Sequence, residues 1–240
     1  EPLIVAHRGA SRDAPENTIP AFQLAWEQGA DAIEADFHLS KDGEIVCFHD
    51  ADTERVAGAQ LVVRQSTLAE LKQLDVGASR GAAFNGTRIP TIAEVFATIP
   101  AGKKIFIEVK CGAEIIPTLL KQIDQSGLAQ EQIVVISFKQ EVIQQLKTQA
   151  PDIKASWLCS FNQQETGEIT PSLTAVLQTL KQIEADALSS NTAVPVSVIE
   201  AIRQQGYEWH VWTINDLQTA RRMQALGVLS ITTDVPGSMR

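Results

Sequence analysis

The sequence predicts an α/β fold: a (β/α)8 TIM barrel with a hairpin arm after its second strand and a small inserted loop and helix region. Three observations predict it. Short apolar strands alternate with helical segments along the whole chain, and parallel strands covered on both faces read as apolar runs. Setting aside one hairpin, eight strands fit a parallel βα beat. Histidine, arginine, lysine and carboxylates gather where several of these strands stop, and barrels of this class place their sites at the C-terminal strand ends. The 240 residues are 44% hydrophobic. That suffices for one large core, so a single domain spanning 1–240 is expected.

Taken in order, Leu3-Ile4-Val5-Ala6 reads as a buried parallel strand that ends at once in His7-Arg8-Gly9. Asn17 or Thr18 opens a helix with Pro20 in its first turn, and Gly29 closes it. Residues 51–90 break the beat with a polar stretch, a short helix near Leu68–Leu74 and a loop through Gly77, Gly81 and Gly86. This segment is too small for a core of its own. It reads as an insertion at the C-terminal mouth, its tip near Phe84-Asn85-Gly86 lying among the loops where barrels of this class set selectivity. Thr91 caps the next helix. In Lys104–Lys110, Ile105, Ile107 and Val109 share one face and Phe106, Glu108 and Lys110 the other. Helices near Glu114–Gln125, Gln140–Gln149, Ser172–Ile183, Val196–Gln205 and Leu217–Leu226 alternate with strands Ile133–Ser137, Lys154–Leu158, Asp186–Leu188, Glu208–Thr213 and Ser230–Thr233.

Ala30–Asp50 carries the densest chemistry. Residues two apart on a strand share a face, so Glu34 and Asp36 project together. Two adjacent carboxylates repel unless a positive charge sits between them. A hard cation with oxygen ligands, Mg2+ or Ca2+, suits that position. The chain reverses at Ser40-Lys41-Asp42-Gly43, a hairpin signal, and returns through Ile45–Phe48 to deliver His49. A solvated edge hairpin with ordinary surface charges is the competing reading of this stretch alone. His38 is expected to be structural and to point away from the carboxylate face, and His210 to be structural too. Trp26, Trp157 and Trp209 are expected to pack. Asp234 is expected to hold the loop that closes the barrel.

The net charge of −9 and pI near 5.0 argue against nucleic-acid or anionic-membrane binding. A small anionic substrate held by local cations remains compatible with them. Three cysteines without a CxxC pair indicate neither a disulfide framework nor a zinc site. No apolar run nears the roughly 18 residues of a membrane span, and no signal-peptide pattern opens the chain. It begins at Glu1 without methionine, as after removal or omission of an N-terminal segment. A reducing cytoplasm is the expected compartment.

The sequence resembles the glycerophosphodiester phosphodiesterase family over its whole length, and its compact size resembles the small bacterial cytoplasmic members. The resemblance rests on HRGA from His7, PENT from Pro15, IEAD from Ile33, SKDG from Ser40, FHD from Phe48, IEVK from Ile107, SF at Ser137, WTIN from Trp212 and ITTDVP from Ile231. A lone HRG would be weak, whereas this ordered series is strong. It implies metal-dependent hydrolysis of glycerophosphodiesters to sn-glycerol 3-phosphate and an alcohol, through a cyclic phosphate. It implies that Glu34, Asp36 and Glu108 bind one divalent cation, Mg2+ or Ca2+. His7 and His49 would be the acid/base pair, Arg8 and Lys110 would hold the phosphate, and Trp212 and Asn17 would line or support the pocket. A histidine pair suits the chemistry because its unperturbed pKa lies near neutrality. The implied partner is a small diester, with no nucleic acid and no membrane insertion.

Each residue also has a plainer reading. His7 could cap a strand, Arg8 could serve as a structural ion-pair partner of Glu34, and Glu108 and Lys110 could form a same-face salt bridge. Two other functions compete as well. A related lyase that stops at the cyclic phosphate would share the histidines, and free glycerol 3-phosphate separates it. A non-catalytic phosphate binder on the same scaffold would not need two acid/base histidines.

Overall fold

A computed structural model describes all residues 1–240. In chain order its elements are β1 (Leu3–His7), α1 (Ile19–Glu27), β2 (Ala32–Leu39), β3 (Ile45–Cys47), α2 (Glu54–Ala57), α3 (Leu68–Leu71), α4 (Ile92–Phe96), β4 (Lys104–Val109), α5 (Ile116–Gln125), β5 (Ile133–Ser137), α6 (Gln140–Gln149), β6 (Lys154–Cys159), β7 (Asn162–Gln163), β8 (Ile169–Thr170), α7 (Leu173–Gln182), β9 (Ala187–Ser190), α8 (Val196–Gln204), β10 (Glu208–Val211), α9 (Leu217–Ala225) and β11 (Ser230–Thr233). The sheet runs β1-β11-β10-β9-β6-β5-β4-β2-β3, and β1 also pairs with β2. That last pairing closes eight parallel strands into a barrel, as the strand count predicts, with β3 lying antiparallel outside β2 as the hairpin arm.

Strand alternation sorts the side chains into two cores. Ile105, Ile107, Ile33, Ala35, Val135 and their counterparts face outward into a large cluster that also takes the inner faces of the helices. Val5, Ala32, Phe106, Val134, Ile136 and Leu158 fill the barrel interior. Other interior positions are polar. Ser156 and Ser189 share a hydrogen bond of 2.7 Å, and His210 Nδ1 lies 2.8 Å from Ser230 Oγ. His210 is therefore buried in the barrel interior, at the floor of the cavity described below, and Trp209, bonded to Ser190 Oγ, is a packing residue.

Local signals set the boundaries. The Thr18 hydroxyl accepts from Ala21 N–H at the start of α1, and Pro20 sits in the first turn, where its missing N–H costs nothing. Thr67 and Thr91 each form reciprocal capping boxes, with Glu70 and Glu94. Gly9 adopts φ +81, and a Cβ there would meet the Ala21 carbonyl carbon at 2.6 Å. A glycine is thus required where the loop after β1 passes α1. Two details depart from expectation. The helix foreseen near Leu68–Leu74 stops at Leu71. A two-stranded hairpin, β7–β8, occupies the loop after β6, where polar two-residue strands give no periodic signal. The 51–90 segment covers its own small cluster around Val46, Phe48, Leu71 and Ile89.

Candidate functional site

The C-terminal strand ends surround a cavity of about 260 Å3. Its wall includes His7, Arg8, Glu34, His49, Glu108, Lys110 and Trp212, all anticipated from sequence. β1 delivers His7 and Arg8, β2 delivers Glu34 and Asp36, β4 delivers Glu108 and Lys110, and the β3 arm delivers His49. Register explains the convergence: His7 lies opposite Glu34, and Asp36 opposite Glu108.

One oxygen from each of Glu34, Asp36 and Glu108 lies within 4.8 Å of the others, and all three residues are buried. Glu34 is 2% exposed, Asp36 1% and Glu108 9%, which separates them from ordinary surface charge. Glu34 Oε1 and Asp36 Oδ1 are buried without any hydrogen-bond partner. Burial first, then the charges of Asp36 and Glu108, pushes the Glu34 carboxyl well above its usual range. Burial first and then Asp36 raises Glu108 to about 7. Three buried carboxylates, two of them with an orphaned oxygen, form a donor set that suits a hard divalent cation and discriminates against soft ones.

The loop after β1 braces this pit with two residues in the left-handed region, Arg8 and Asn17, both at φ 56. Such conformations are sparsely populated for these residues and cluster where a site demands them. In this one, Arg8 N–H reaches Glu34 Oε2 at 3.0 Å while its Nε lies 3.3 Å from Asp36 Oδ2. Asn17 donates to Asp36 Oδ2 at 2.9 Å and accepts from Asp36 N–H at 3.2 Å. Asn17 therefore does not line the cavity, as one expectation had it; it is buried behind Asp36 and orients that carboxylate. Lys110 Nζ lies 2.9 Å from Glu108 Oε1 and 3.5 Å from His49 Nε2. The Glu108–Lys110 salt bridge is thus real and sits inside the cavity.

Both histidines are oriented from behind. His7 Nδ1 is 2.7 Å from Asp234 Oδ1, which leaves Nε2 toward Glu34 at 3.9 Å. His49 Nδ1 is 2.6 Å from Asp50 Oδ1, leaving Nε2 toward Lys110. A carboxylate behind Nδ1 fixes the tautomer and stabilises the imidazolium. Asp234 is held in turn by Asn215 Nδ2 at 2.8 Å and by Ser11 Oγ at 3.1 Å. Its part in closing the barrel loop is joined by this contact to His7, which sequence reading missed. Asp50 was missed as well, although its place directly after His49 was a usable signal. Arg55 clamps Asp50 and Glu16 together, and the Arg55 hydrogen bond, with burial opposing it, leaves Asp50 at about 2.

His38 corrects another expectation. Residues 34, 36 and 38 share a parity and hence a face, and His38 Nε2 lies 2.9 Å from the His49 carbonyl oxygen. It supports the His49 backbone. Cys47 is fully buried, its thiol raised by burial and then by Asp36 and Glu34, so it is no nucleophile. In the 51–90 insertion, the residues beside the site are Arg55 and Arg80, not the tip at Phe84–Gly86.

Comparison with known proteins finds relatives across the whole chain. The family model for the glycerophosphoryl diester phosphodiesterase family matches residues 7–238. A glycerophosphodiester phosphodiesterase of Caldanaerobacter subterraneus is 35% identical, covering 99% of this chain and 96% of its own. A phosphodiesterase of Oleispira antarctica, solved in complex with the product sn-glycerol-3-phosphate, superposes with a TM-score of 0.90 at 29% identity, covering 99% of this chain and 95% of that one. A glycerophosphodiester phosphodiesterase of Thermotoga maritima gives a TM-score of 0.79 at 27% identity, with coverage of 99% and 96%.

Proposed function

This chain belongs to the glycerophosphoryl diester phosphodiesterase family and is an enzyme of that activity; we propose that it hydrolyses glycerophosphodiesters to sn-glycerol 3-phosphate and an alcohol by acid/base catalysis with His7 and His49. The observation that carries this reading is the pairing of two histidines, each backed by a carboxylate at Nδ1, around one pit of three buried carboxylates. Binding alone has no use for two such histidines, which disfavours the non-catalytic alternative.

The roles follow from position. Arg8 and Lys110 neutralise the diester phosphate, which otherwise repels a nucleophile. One histidine takes the proton of the glycerol 2-hydroxyl as its oxygen attacks phosphorus. The bond from phosphorus to the alcohol breaks, and the other histidine gives that oxygen a proton. Water then opens the cyclic phosphate while the histidines exchange roles, which leaves sn-glycerol 3-phosphate. Glu34, Asp36 and Glu108 would hold one Mg2+ or Ca2+. When bound, that cation supplies Lewis-acid stabilisation of charge on the phosphate and the 2-hydroxyl. The apolar wall of Ile136, Leu158 and Trp212 limits water around these charges.

No helix is long and apolar enough to cross a membrane. The three cysteines are unpaired, which fits the cytoplasmic location included in this reading. One domain, residues 1–240, with a mouth insertion at 51–90, is likewise part of it. The test is phosphorus NMR of glycerophosphocholine incubated with enzyme, with and without chelator. Free glycerol 3-phosphate that disappears with EDTA and returns with Mg2+ or Ca2+ is expected. Cyclic phosphate as the end product would assign the lyase alternative, and full turnover in excess chelator would remove the cation from the scheme.

A further inference from the structure

A second cavity, of about 420 Å3, opens beside the first and shares His7 and Arg8 with it. No hydrophobic residue lines it. Its walls come from the loop after β1, from Asp234 after β11, and from Arg80 of the 51–90 insertion. The acidic groups in it are already committed. Glu16 accepts from Arg8 at 3.1 Å and from Arg55 at 2.6 Å, and Asp234 holds His7 at 2.7 Å. Arg12 and Arg80 differ. Neither forms an ion pair, and both guanidinium groups are exposed.

These two arginines are nonetheless placed. Arg12 N–H donates to the Asp234 carbonyl at 3.2 Å, which ties its loop to the last strand. Arg80 Nη2 donates to the Arg12 carbonyl at 2.6 Å, which ties the insertion to that loop. Arg80 retains most of its five donors for another partner. In a protein of net charge −9, this corner of the mouth is a local reversal of sign.

We propose that the second cavity receives the leaving alcohol, and that Arg12 and Arg80 select glycerophosphodiesters whose alcohol carries a further anionic group, a phosphate monoester fitting best. This rests on the activity proposed above. The carboxylate pit lies in the first cavity and takes the glycerol half. The phosphorus lies at His7 and Arg8, the residues common to both cavities. The other half of the diester then enters the second. Guanidinium forks match phosphate oxygens in pairs, and two uncommitted ones offset the repulsion that an acidic protein exerts on a multiply charged substrate.

The test compares glycerophosphoinositol with glycerophosphoinositol 4-phosphate, which differ only in the added phosphate. The readout is the ratio of their kcat/KM values. Wild type is expected to favour the phosphorylated diester. Arg12→Gln with Arg80→Gln should reduce that ratio roughly 5- to 30-fold, the scale of two exposed charge contacts. High salt should shrink the wild-type preference, and the double lysine variant should keep part of it. Arg12→Gln alone serves if Arg80→Gln disturbs the loop, because no hydrogen bond of the structure uses the Arg12 side chain. An unchanged ratio in the variants, or a wild-type preference for the unphosphorylated diester, would overturn the subsite. Failure of wild type on both diesters while it turns over glycerophosphocholine would overturn the subsite alone; failure on all three would overturn the activity reading, and this subsite with it.

Discussion

Along β1, β2 and β4 the cavity wall carries His7, Arg8, Glu34, Glu108 and Lys110, with Phe106 the apolar residue among them; along β5, β6 and β10 it carries Ile136, Leu158 and Trp212, with His210 the polar residue beside them and Phe138 at the rim. On the first side nearly every group is fixed by others. Arg8 spans Glu34, Asp36 and Glu16, Asn17 grips Asp36 twice, and each histidine leans on a carboxylate. On the second side the contacts are packing, such as the edge-to-face pair Phe138–Trp212 at 5.7 Å. In the proposed function the charged side carries the chemistry, and the apolar side lowers the local dielectric so that those charges act strongly. Substitutions on the two sides should therefore fail in different ways.

The largest losses belong to the histidines. His7→Ala and His49→Ala should each lower kcat roughly 100- to 10,000-fold, the usual worth of a positioned acid or base, with the melting temperature little changed. Near-wild-type kcat in either would dissolve the proposed pair. Next come the carboxylates behind them. Asp234→Asn and Asp50→Asn keep the shape but remove the charge that favours the imidazolium. Turnover should drop on the order of 10- to 100-fold, with the melting temperature little changed. A rate loss matched by a comparable loss of thermal stability would make these residues purely structural.

A pH measurement sharpens the contrast further. Burial and then neighbouring charge hold Glu34 well above the usual carboxylate range and Glu108 at about 7. Between about pH 4.5 and 7 the metal-free folded state thus binds more protons than the unfolded chain, so its stability falls as pH rises through that window. Melting of EDTA-treated protein should show this decline, and Glu108→Gln should flatten it. Divalent-cation affinity should rise over the same window, because the ligands must lose their protons. An equal slope in wild type and Glu108→Gln would contradict the coupling. The smallest effect belongs to the apolar rim. Phe138, 45% exposed, gives up about one aromatic contact on truncation, so Phe138→Ala should raise KM a few-fold and leave kcat nearly intact. A kcat loss as large as that of the histidine variants would erase the distinction between the two sides.

The same asymmetry governed what could be read from sequence. Ile133–Ser137 and Gln140–Gln149 appear in the structure with the bounds their patterns predict, because an apolar strand and an amphipathic helix advertise themselves locally. Glu34, Asp36 and Glu108 were legible through strand parity and the order of motifs. The supports were not. Asp234 meets His7 across 227 residues of sequence, a contact that only barrel closure creates. Asn17 looked like a pocket residue because its motif marks the neighbourhood and not the direction of its side chain. His38 was placed on the wrong face although period-two alternation already grouped it with Glu34 and Asp36. The insertion gave no periodicity from which to tell that Arg55 and Arg80, and not Phe84–Gly86, reach the mouth.

The central claim is that Glu34, Asp36 and Glu108 form one cation site that the rest of the charged side surrounds. Its most direct test is the melting temperature of chelator-treated wild type, Glu34→Gln, Asp36→Asn and Glu108→Gln, each with and without Mg2+ or Ca2+. At about 100 times Kd the cation should stabilise wild type by about 2.7 kcal/mol, a rise of roughly 5 to 10 °C for a chain of this size. Each amide variant relieves the mutual repulsion of the carboxylates. Without metal it should therefore melt no lower than wild type, and it should gain far less from the cation. Equal metal-induced shifts in wild type and all three variants would contradict a shared site.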